Sequence, residues 1–196
     1  MRFTKENVRL EELSQSVRIM QGDLCLLHRV QDEDLPSLVS LFTSPDVYTT
    51  AHLKQPPDVN LLRNFLFDDL SLLIWKVFGA NDDGTPGSQV GYIGWVNYAG
   101  PPFLFVLPLE EDLDLGVLQN GFELIVKAYF ETTSANELCF YADVPVPEEI
   151  HTTLVEGGFD LWQEVAGVDS EKEATYVIER GTYDAYYGET SEEDEL

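Results

Sequence analysis

The sequence of 196 residues is poor in basic side chains and in long apolar runs, and each shortage excludes a class of protein. Only 11 Lys and Arg residues stand against 36 Asp and Glu residues, which leaves a formal net charge of −25. Because such a chain repels phosphate backbones and anionic lipid surfaces, we expect neither direct nucleic-acid binding nor membrane docking. The longest apolar run, residues 103–109, spans seven residues and contains a proline. Since a membrane span needs about 20 apolar residues, none is predicted.

Cysteine is also scarce, and the two that occur lie in apolar, strand-like runs. Cys25 and Cys139 are therefore predicted to be buried thiols rather than a disulfide framework. The first residues carry charges and offer no apolar stretch for a secretory signal, so a cytoplasmic location is expected. The three histidines are isolated and show no zinc spacing. Asp112, Asp114 and Glu123 match positions 1, 3 and 12 of a calcium loop, but Gly116 stands where an oxygen ligand is needed and Val117 where glycine is needed, so no metal is predicted.

The length suits a single domain, and the charge pattern marks its ends. We predict an N-terminal extension over residues 1–22, a folded domain over 23–187 and an acidic, disordered tail over 188–196. Apolar residues make up 44% of the chain, which is ordinary for a protein that buries a core. The acidity of the body has a plain interpretation, solubility or a salt-rich cytoplasm, and a specific one, a cationic partner.

Hydrophobic periodicity predicts eleven elements in the order β-α-α-β-β-β-α-β-α-β-β. The first strand covers 23–31, a helix capped by Asp32 follows, and a loop over 43–57 leads to a second helix that starts at Asp58. A hairpin turn over 79–88 joins two strands, a third helix runs over 116–131, and Gly157 and Gly158 end a fourth. The order predicts an α+β fold: a mixed, mostly antiparallel sheet of about seven strands flanked by four helices.

Three segments resemble the GNAT superfamily of acyl-CoA N-acyltransferases, and the likeness extends over residues 23–180. Residues 24–47 (LCLLHRVQDEDLPSLVSLFTSPDV) are similar to an opening strand, an Asp and a first helix. Residues 89–96 (QVGYIGWV) are similar to a third strand with its two glycines, and 154–160 (LVEGGFD) to the end of a fourth helix. The closest likeness is to the branch that acetylates protein N-termini, ribosomal proteins and small amines. Core packing in an unrelated α+β fold is the alternative explanation of these segments.

The resemblance implies acetyl-CoA as the acyl donor and suggests where it would bind. In the family, a loop of the pattern R/Q-x-x-G-x-G/A opens the third helix, and its backbone amides hold the pyrophosphate. Small residues allow a close approach there, and the helix N-terminus supplies partial positive charge. The positions that correspond to cofactor contacts are, on the fourth strand, Val106, Leu107 and Leu109, and, at the start of the third helix, Leu115, Gly116 and Val117.

This sequence departs from the family pattern at the same loop. Leu113 stands where Arg or Gln is expected, and Leu118 stands where the second small residue is expected. The segment 110–114 holds four carboxylates, which would repel a bound pyrophosphate. Pro108 removes one backbone donor from the strand along which the pantetheine arm runs in the family. Leu154 occupies the position of a tyrosine that often protonates the leaving thiolate.

Catalysis in this family needs an amine held near a thioester and a route for its proton. Glu110 and Glu111 come just after the fourth strand, where a general base could act, and a solvated acidic rim is the alternative interpretation of both. Our first functional hypothesis is a divergent N-acyltransferase for a cationic amine or a basic peptide or protein, with a homodimer possible. The second is a non-catalytic, acidic interaction protein, a nucleic-acid mimic or inhibitor that has lost acyl-CoA binding. A third is an acyltransferase whose donor is not free coenzyme A.

Overall fold

The computed structural model describes residues 18–51, 53–81, 83–96, 102–109, 115–143, 146, 148–166 and 172–187. Eight strands are present: β1 (Ile19–Gln21), β2 (Cys25–Arg29), β3 (Leu72–Ala80), β4 (Pro86–Val96), β5 (Phe103–Pro108), β6 (Glu137–Asp143), β7 (Asp160–Ala166) and β8 (Lys172–Glu179). The α-helices are α1 (Leu35–Leu41), α2 (Pro45–Thr50), α3 (Val59–Arg63), α4 (Leu115–Thr132), α5 (Glu148–Glu156) and α6 (Arg180–Tyr187). Neither these helices nor the rest of the described chain includes a helix long and apolar enough to cross a membrane.

All eight strands form one sheet in the order β1-β2-β3-β4-β5-β6-β8-β7. Neighbouring strands are antiparallel except β5 and β6, which run parallel. A parallel pair needs a crossover connection, and α4 lies between the two strands in the chain. The sheet therefore changes direction at one place, between β5 and β6.

Short polar signals set the ends of several helices. The Asp58 side chain accepts a hydrogen bond from the amide of Leu61 at 2.8 Å and so caps α3, as the sequence predicts. Before α1 the arrangement differs from the expectation: a 3-10 turn covers Asp32–Asp34, where the Asp34 carboxylate accepts from the amide of Gln31 at 2.8 Å and Asp32 pairs with Arg63. Gly158 follows α5 with φ +83°, a left-handed conformation that glycine adopts without strain.

The sheet separates two apolar cores. On one face β-strand residues such as Trp75 and Trp95 pack against α4, α5 and α6, which contribute Phe122, Leu154 and Tyr183. On the other face the sheet packs against the segment from α1 to α3, and that core is formed by Val30, Leu35, Leu38, Phe42, Leu62, Leu66, Ile74 and Phe105, among others. The arrangement is a sheet between two helical layers, and it confirms the predicted α+β class and the mixed, mostly antiparallel sheet.

The structure corrects the prediction in its shorter elements. The sheet has one strand more than expected, because β1 pairs with β2 at its edge, within the segment predicted as an extension. Helix α2 lies inside the predicted loop 43–57, and Pro45 occupies its first turn. The last strand ends at Glu179 and α6 begins directly at Arg180, so six α-helices are described rather than four, besides a 3-10 turn over Asp32–Asp34 and a π-helical turn over Asn64–Asp68. The division of the chain into extension, domain and tail stays a prediction.

Candidate functional site

The parallel strands β5 and β6 diverge soon after they meet, and the gap between them forms the candidate site. Their register pairs are Phe103 with Cys139 and Leu104 with Phe140. Beyond these pairs β5 continues to Pro108 and β6 continues to Asp143. No register pair joins the described residues of the two strands past Leu104 and Phe140, so a wedge-shaped cleft opens there.

One edge of this cleft is the backbone of β5. The amide of Leu109 donates to the carbonyl of Val90 at 3.0 Å, on the side of β4. Because neighbouring residues of a strand direct their backbone groups to opposite sides, the amide of Val106 lies on the side of the cleft. Pro108 shares that side and has no amide hydrogen. Past the last register pair, Val106 is therefore the position of β5 that offers the cleft a backbone donor.

A cavity of about 40 Å³ lies where the strands separate. Its lining comes from both strands and from two helices, namely Val106, Leu118, Phe122, Phe140, Ile150, Thr153 and Leu154. Among the residues that the structure describes, Thr153 is the one that brings a polar side chain to the lining, and none of them brings a charged group. An apolar surface of this kind favours a hydrocarbon or thioester group over an ion.

The floor of the cavity is built from well-packed side chains. Phe122, Phe140 and Leu154 are 5%, 8% and 2% exposed, whereas Val106, Leu118 and Ile150 are only partly buried. The rings of Phe122 and Phe140 meet edge to face with centroids 5.6 Å apart. The Phe122 ring also contacts Phe159 at 5.3 Å. The buried aromatic floor is thus fixed from two sides, and the partly buried residues form its rim.

The structure places the predicted cofactor positions on two elements of the cleft and on both faces of the sheet. Val106 lines the cavity, Leu107 is buried in the core on the opposite face, and the Leu109 side chain is 45% exposed. Leu115, Gly116 and Val117 form the first turn of α4, and Val117 belongs to the core beneath that helix. Glu110 and Glu111 lie outside the described residues, so their assignment as a general base stays a prediction.

Leu118 and Leu154 belong to the site, although the sequence analysis named them only as departures from the family pattern. Both side chains line the cavity, one from α4 and one from α5. Phe122, Phe140, Ile150 and Thr153 were not singled out as site residues. They lie in three elements, and although Ile150 and Thr153 share one face of α5, no spacing in the sequence relates that face to Phe122 or Phe140, so only the fold brings them together.

A titratable pair lies next to the cavity wall. Tyr176 of β8 is the register partner of Phe140, which lines the cavity, and its hydroxyl lies 2.8 Å from Nδ1 of His151 on α5. Tyr176 is buried, whereas His151 reaches the solvent. The sequence shows His151 as an isolated histidine, because its partner lies 25 residues further along the chain.

Five of the described basic side chains are engaged in contacts within the fold. Lys76 pairs with Asp34 at 2.9 Å and Arg63 pairs with Asp32 at 3.0 Å. Lys127 lies 3.8 Å from Glu131, and the buried Arg29 and the partly buried Arg180 donate to main-chain carbonyls. Lys76, Arg29 and Arg180 thus have structural partners in the partly buried or buried parts of the fold, whereas the pairs of Arg63 and Lys127 are exposed.

The cysteines and the acidic side chains do not form a metal or nucleophile centre in the part of the chain that the structure describes. No group of three potential metal ligands occurs among those residues. Cys25 and Cys139 are free, buried thiols that belong to the cores on opposite faces of the sheet. Burial raises the pKa of Cys25 to about 11 and that of Cys139 to about 12, and the charges of Glu123 and Glu137 add to the respective shifts. Neither thiol is activated as a nucleophile at neutral pH.

Comparison with solved structures identifies this combination of sheet, crossover helix and cleft. Spermidine N-acetyltransferase from Vibrio cholerae, in complex with CoA and spermine, superposes with a TM-score of 0.63 over 83% of this chain and 99% of its own, at 13% identity. The chain adopts the GNAT fold. A probable GNAT-family acetyltransferase from Chromobacterium violaceum has a TM-score of 0.58 at 12% identity, covering 85% of this chain and 88% of its own.

A third solved structure with the GNAT fold is the aminoglycoside acetyltransferase AAC(6')-Ib in complex with coenzyme A. It covers 82% of this chain and 98% of its own, with a TM-score of 0.57 and 14% identity. No protein-family model matches the chain, and no curated protein sequence does. At these identities the likeness is one of GNAT fold, and the chemistry of this chain has to be argued from its own residues.

Proposed function

We propose that this chain is an N-acyltransferase that moves an acyl group from a coenzyme A thioester to a cationic amine or to a basic peptide. The observation that carries the proposal is the cleft between β5 and β6 with an apolar cavity where the strands separate. A thioester placed there would have its carbonyl near the amide of Val106 and its acyl group among apolar side chains. Solved structures with the same fold are N-acetyltransferases in complex with coenzyme A, which supports the choice of donor.

The reaction itself makes modest demands on this chain. The amine nitrogen attacks the thioester carbonyl, a C–N bond forms, and the C–S bond breaks to release a thiolate. Two proton-transfer tasks follow. The first is removal of protons from the nitrogen: a cationic amine must lose one proton before it attacks and a second as the C–N bond forms. The second is delivery of one proton to the thiolate, while the other proton passes to the solvent. For the first transfer we propose Glu110 or Glu111, directly after β5, and for the second the hydrogen-bonded pair His151 and Tyr176 beside the cavity wall. A backbone donor at Val106 would stabilise the oxyanion that forms during attack.

The net charge of −25 supports a cationic acceptor. A strongly negative surface raises the local concentration of cations and speeds their arrival at low ionic strength. The comparison structures include a spermidine acetyltransferase with bound spermine, a polyamine, and an aminoglycoside acetyltransferase. We therefore propose spermidine and a lysine-rich peptide as first acceptor probes.

The direct test measures the binding of coenzyme A and acetyl-CoA to the full chain. Calorimetry and thermal unfolding, each at low and at high salt, detect it. Specific binding predicts saturable stabilisation of about 2.7 kcal/mol at a hundredfold excess over Kd. Thiol release in the presence of spermidine, measured with a chromogenic thiol reagent, then tests transfer. A chain that neither compound stabilises at any ionic strength would not be a coenzyme A-dependent transferase.

A second candidate is an acidic interaction protein that keeps the fold without the donor. It is favoured by Leu118, whose side chain lines the cleft where the family pattern has a residue without a side chain or with a methyl group. This candidate predicts a salt-sensitive complex with a basic protein that weakens when Glu110, Glu111, Asp112 and Asp114 are neutralised together. If that fourfold variant keeps every complex of the parent chain, the second candidate fails.

A further inference from the structure

The cavity at the base of the cleft sets a size and a polarity for whatever group enters it. Its seven lining residues include aliphatic and aromatic side chains from four elements and a single hydroxyl, that of Thr153. Burying a carboxylate among them would cost far more than burying a methylene group, since none of these seven described residues carries a positive charge. The group that fits is an uncharged hydrocarbon chain.

The volume of the cavity indicates the length of that chain. A cavity needs about 10–15 Å³ to hold one water-sized group, and a methylene group is of comparable size. A cavity of about 40 Å³ therefore has room for about three such groups. An acetyl group fills one of these places with its methyl group and leaves about two empty.

The floor limits how far a chain can extend. Phe122 and Phe140 meet edge to face at 5.6 Å, and Phe159 supports Phe122 from behind at 5.3 Å. Leu154, 2% exposed, closes the side toward α5. Aromatic side chains packed in this way resist displacement, because a tightly packed interior accepts extra volume only with strain.

We infer that the donor of this chain carries an unbranched, uncharged acyl group of about four carbons, a butyryl thioester, in preference to acetyl. The inference deepens the proposed function and rests on it for the identity of the reaction. Leu118 on α4 is one of the partly buried side chains that bound the cavity, so its truncation would enlarge the cavity volume.

The test uses acyl thioesters of N-acetylcysteamine, which lack the nucleotide and the pyrophosphate, titrated into the full chain by calorimetry. Affinity is expected to rise about fourfold per methylene group from acetyl to butyryl, about 15-fold in total, and to fall again at octanoyl. Succinyl, of similar length but charged, should bind no better than acetyl. Equal affinity for acetyl and butyryl, or tighter binding of succinyl, would overturn the inference.

Two substitutions of Leu118 distinguish an effect on the cavity lining from an effect of misfolding. Leu118→Ala should move the preferred length to six or more carbons, which is a gain that an unfolded protein cannot produce. Leu118→Trp should abolish the dependence on chain length. Leu124→Ala on the same helix is the matched control, because Leu124 packs against the core outside the cavity lining, and it should keep the butyryl preference. If Leu118→Ala leaves the preferred length unchanged, the assignment of this cavity is wrong.

Parallel titration of coenzyme A and butyryl-CoA distinguishes the two claims. Binding of both without any dependence on acyl length would overturn the inference and leave the proposed function standing. Binding of butyryl-N-acetylcysteamine with the expected dependence, but of neither coenzyme A compound, would uphold the cavity assignment and overturn the proposed donor. A chain that binds none of these compounds contradicts both.

Discussion

The ring of Phe105 on β5 lies directly over the α-carbon of Gly94 on β4. The two residues are register partners, and a β-carbon built on Gly94 would lie 1.9 Å from Cζ of Phe105. The Phe105 side chain is 1% exposed and belongs to the core beneath α1 and α3. Gly94 is thus required for close approach, and it helps to seat the strand whose far end forms one edge of the cleft.

We predict that Gly94→Ala destabilises the fold by about 1–3 kcal/mol, because the new methyl group forces the buried ring of Phe105 to move. Phe105→Leu alone should also destabilise, since it leaves a void in the core. Together the two substitutions should cost less than their sum, with a coupling of about 1–2 kcal/mol. Urea unfolding of the four proteins in this cycle measures the coupling, and strictly additive losses would contradict the contact.

Arg180 connects the start of α6 to the end of α4. Its guanidinium donates to the carbonyls of Ala135, Phe130 and Thr133 at 2.9, 3.0 and 2.6 Å. The guanidinium carbon also lies 5.1 Å from the centre of the Phe130 ring. The carbonyls at the end of a helix have no partners within it, and a cation is favoured at that end of the helix dipole.

We therefore expect Arg180→Ala to lower the free energy of unfolding by about 2–4 kcal/mol. Arg180→Lys should recover only part of this loss, because a single ammonium group cannot reproduce the planar fork. Arg63→Ala is the matched control: its exposed pair with Asp32 should contribute at most about 1 kcal/mol. Equal losses for Arg180→Ala and Arg63→Ala in urea unfolding would show that the carbonyl contacts contribute little.

The sequence predicted the longer elements because their apolar residues repeat over many positions. In α4, Phe122, Ile125, Val126 and Tyr129 share one face, and all four are buried as the period of 3.6 residues requires. The short elements were not predicted, because they contain too few residues to show a hydrophobic period. In β1 only Met20 of three residues is buried, and α6 begins at Arg180 with no intervening loop to mark it.

The site was less predictable than the fold. Val106, Phe140 and Leu154 lie in β5, β6 and α5, three elements that α4 and residues 144–147 separate along the chain, and nothing local in the sequence relates them. The resemblance to the GNAT superfamily pointed to the fourth strand and to the start of the third helix, and it named Leu118 and Leu154 only as departures from the family pattern. Cavity lining is a property of packing, and packing is decided by the whole fold.

The two thiols provide a test of the core. The pKa of Cys25 is raised to about 11 and that of Cys139 to about 12, mainly because burial disfavours the thiolate. We predict that neither reacts with a disulfide reagent at pH 8 in the folded protein, and that both react at once in denaturant. Their labelling rates in intermediate urea should follow global unfolding. Fast labelling of either thiol without denaturant would show that the core around it becomes accessible by local opening, without global unfolding.

A pair of like charges at the edge of the β6–β8 ladder predicts how stability depends on pH. Glu137 and Glu179 are register partners on these strands. Partial burial, and secondarily the charge of Glu179, raise the pKa of Glu137 above its ordinary value of 4.5. A carboxyl group with a raised pKa in the folded state contributes stability that is fully present below the ordinary pKa and is lost as the pH rises through the folded-state value.

We therefore expect Glu137→Gln to raise the free energy of unfolding at pH 7 by about 0.2–1 kcal/mol, and the gain to vanish below pH 4. Glu131→Gln removes the same formal charge, but it breaks the exposed pair with Lys127 and should cost about 0.3–0.5 kcal/mol at pH 7. The difference between the two variants, measured by urea unfolding at both pH values, separates a local repulsion from the effect of net charge. An equal gain for both variants at pH 7 would mean that relief of the overall negative charge, rather than the contact between Glu137 and Glu179, determines the response.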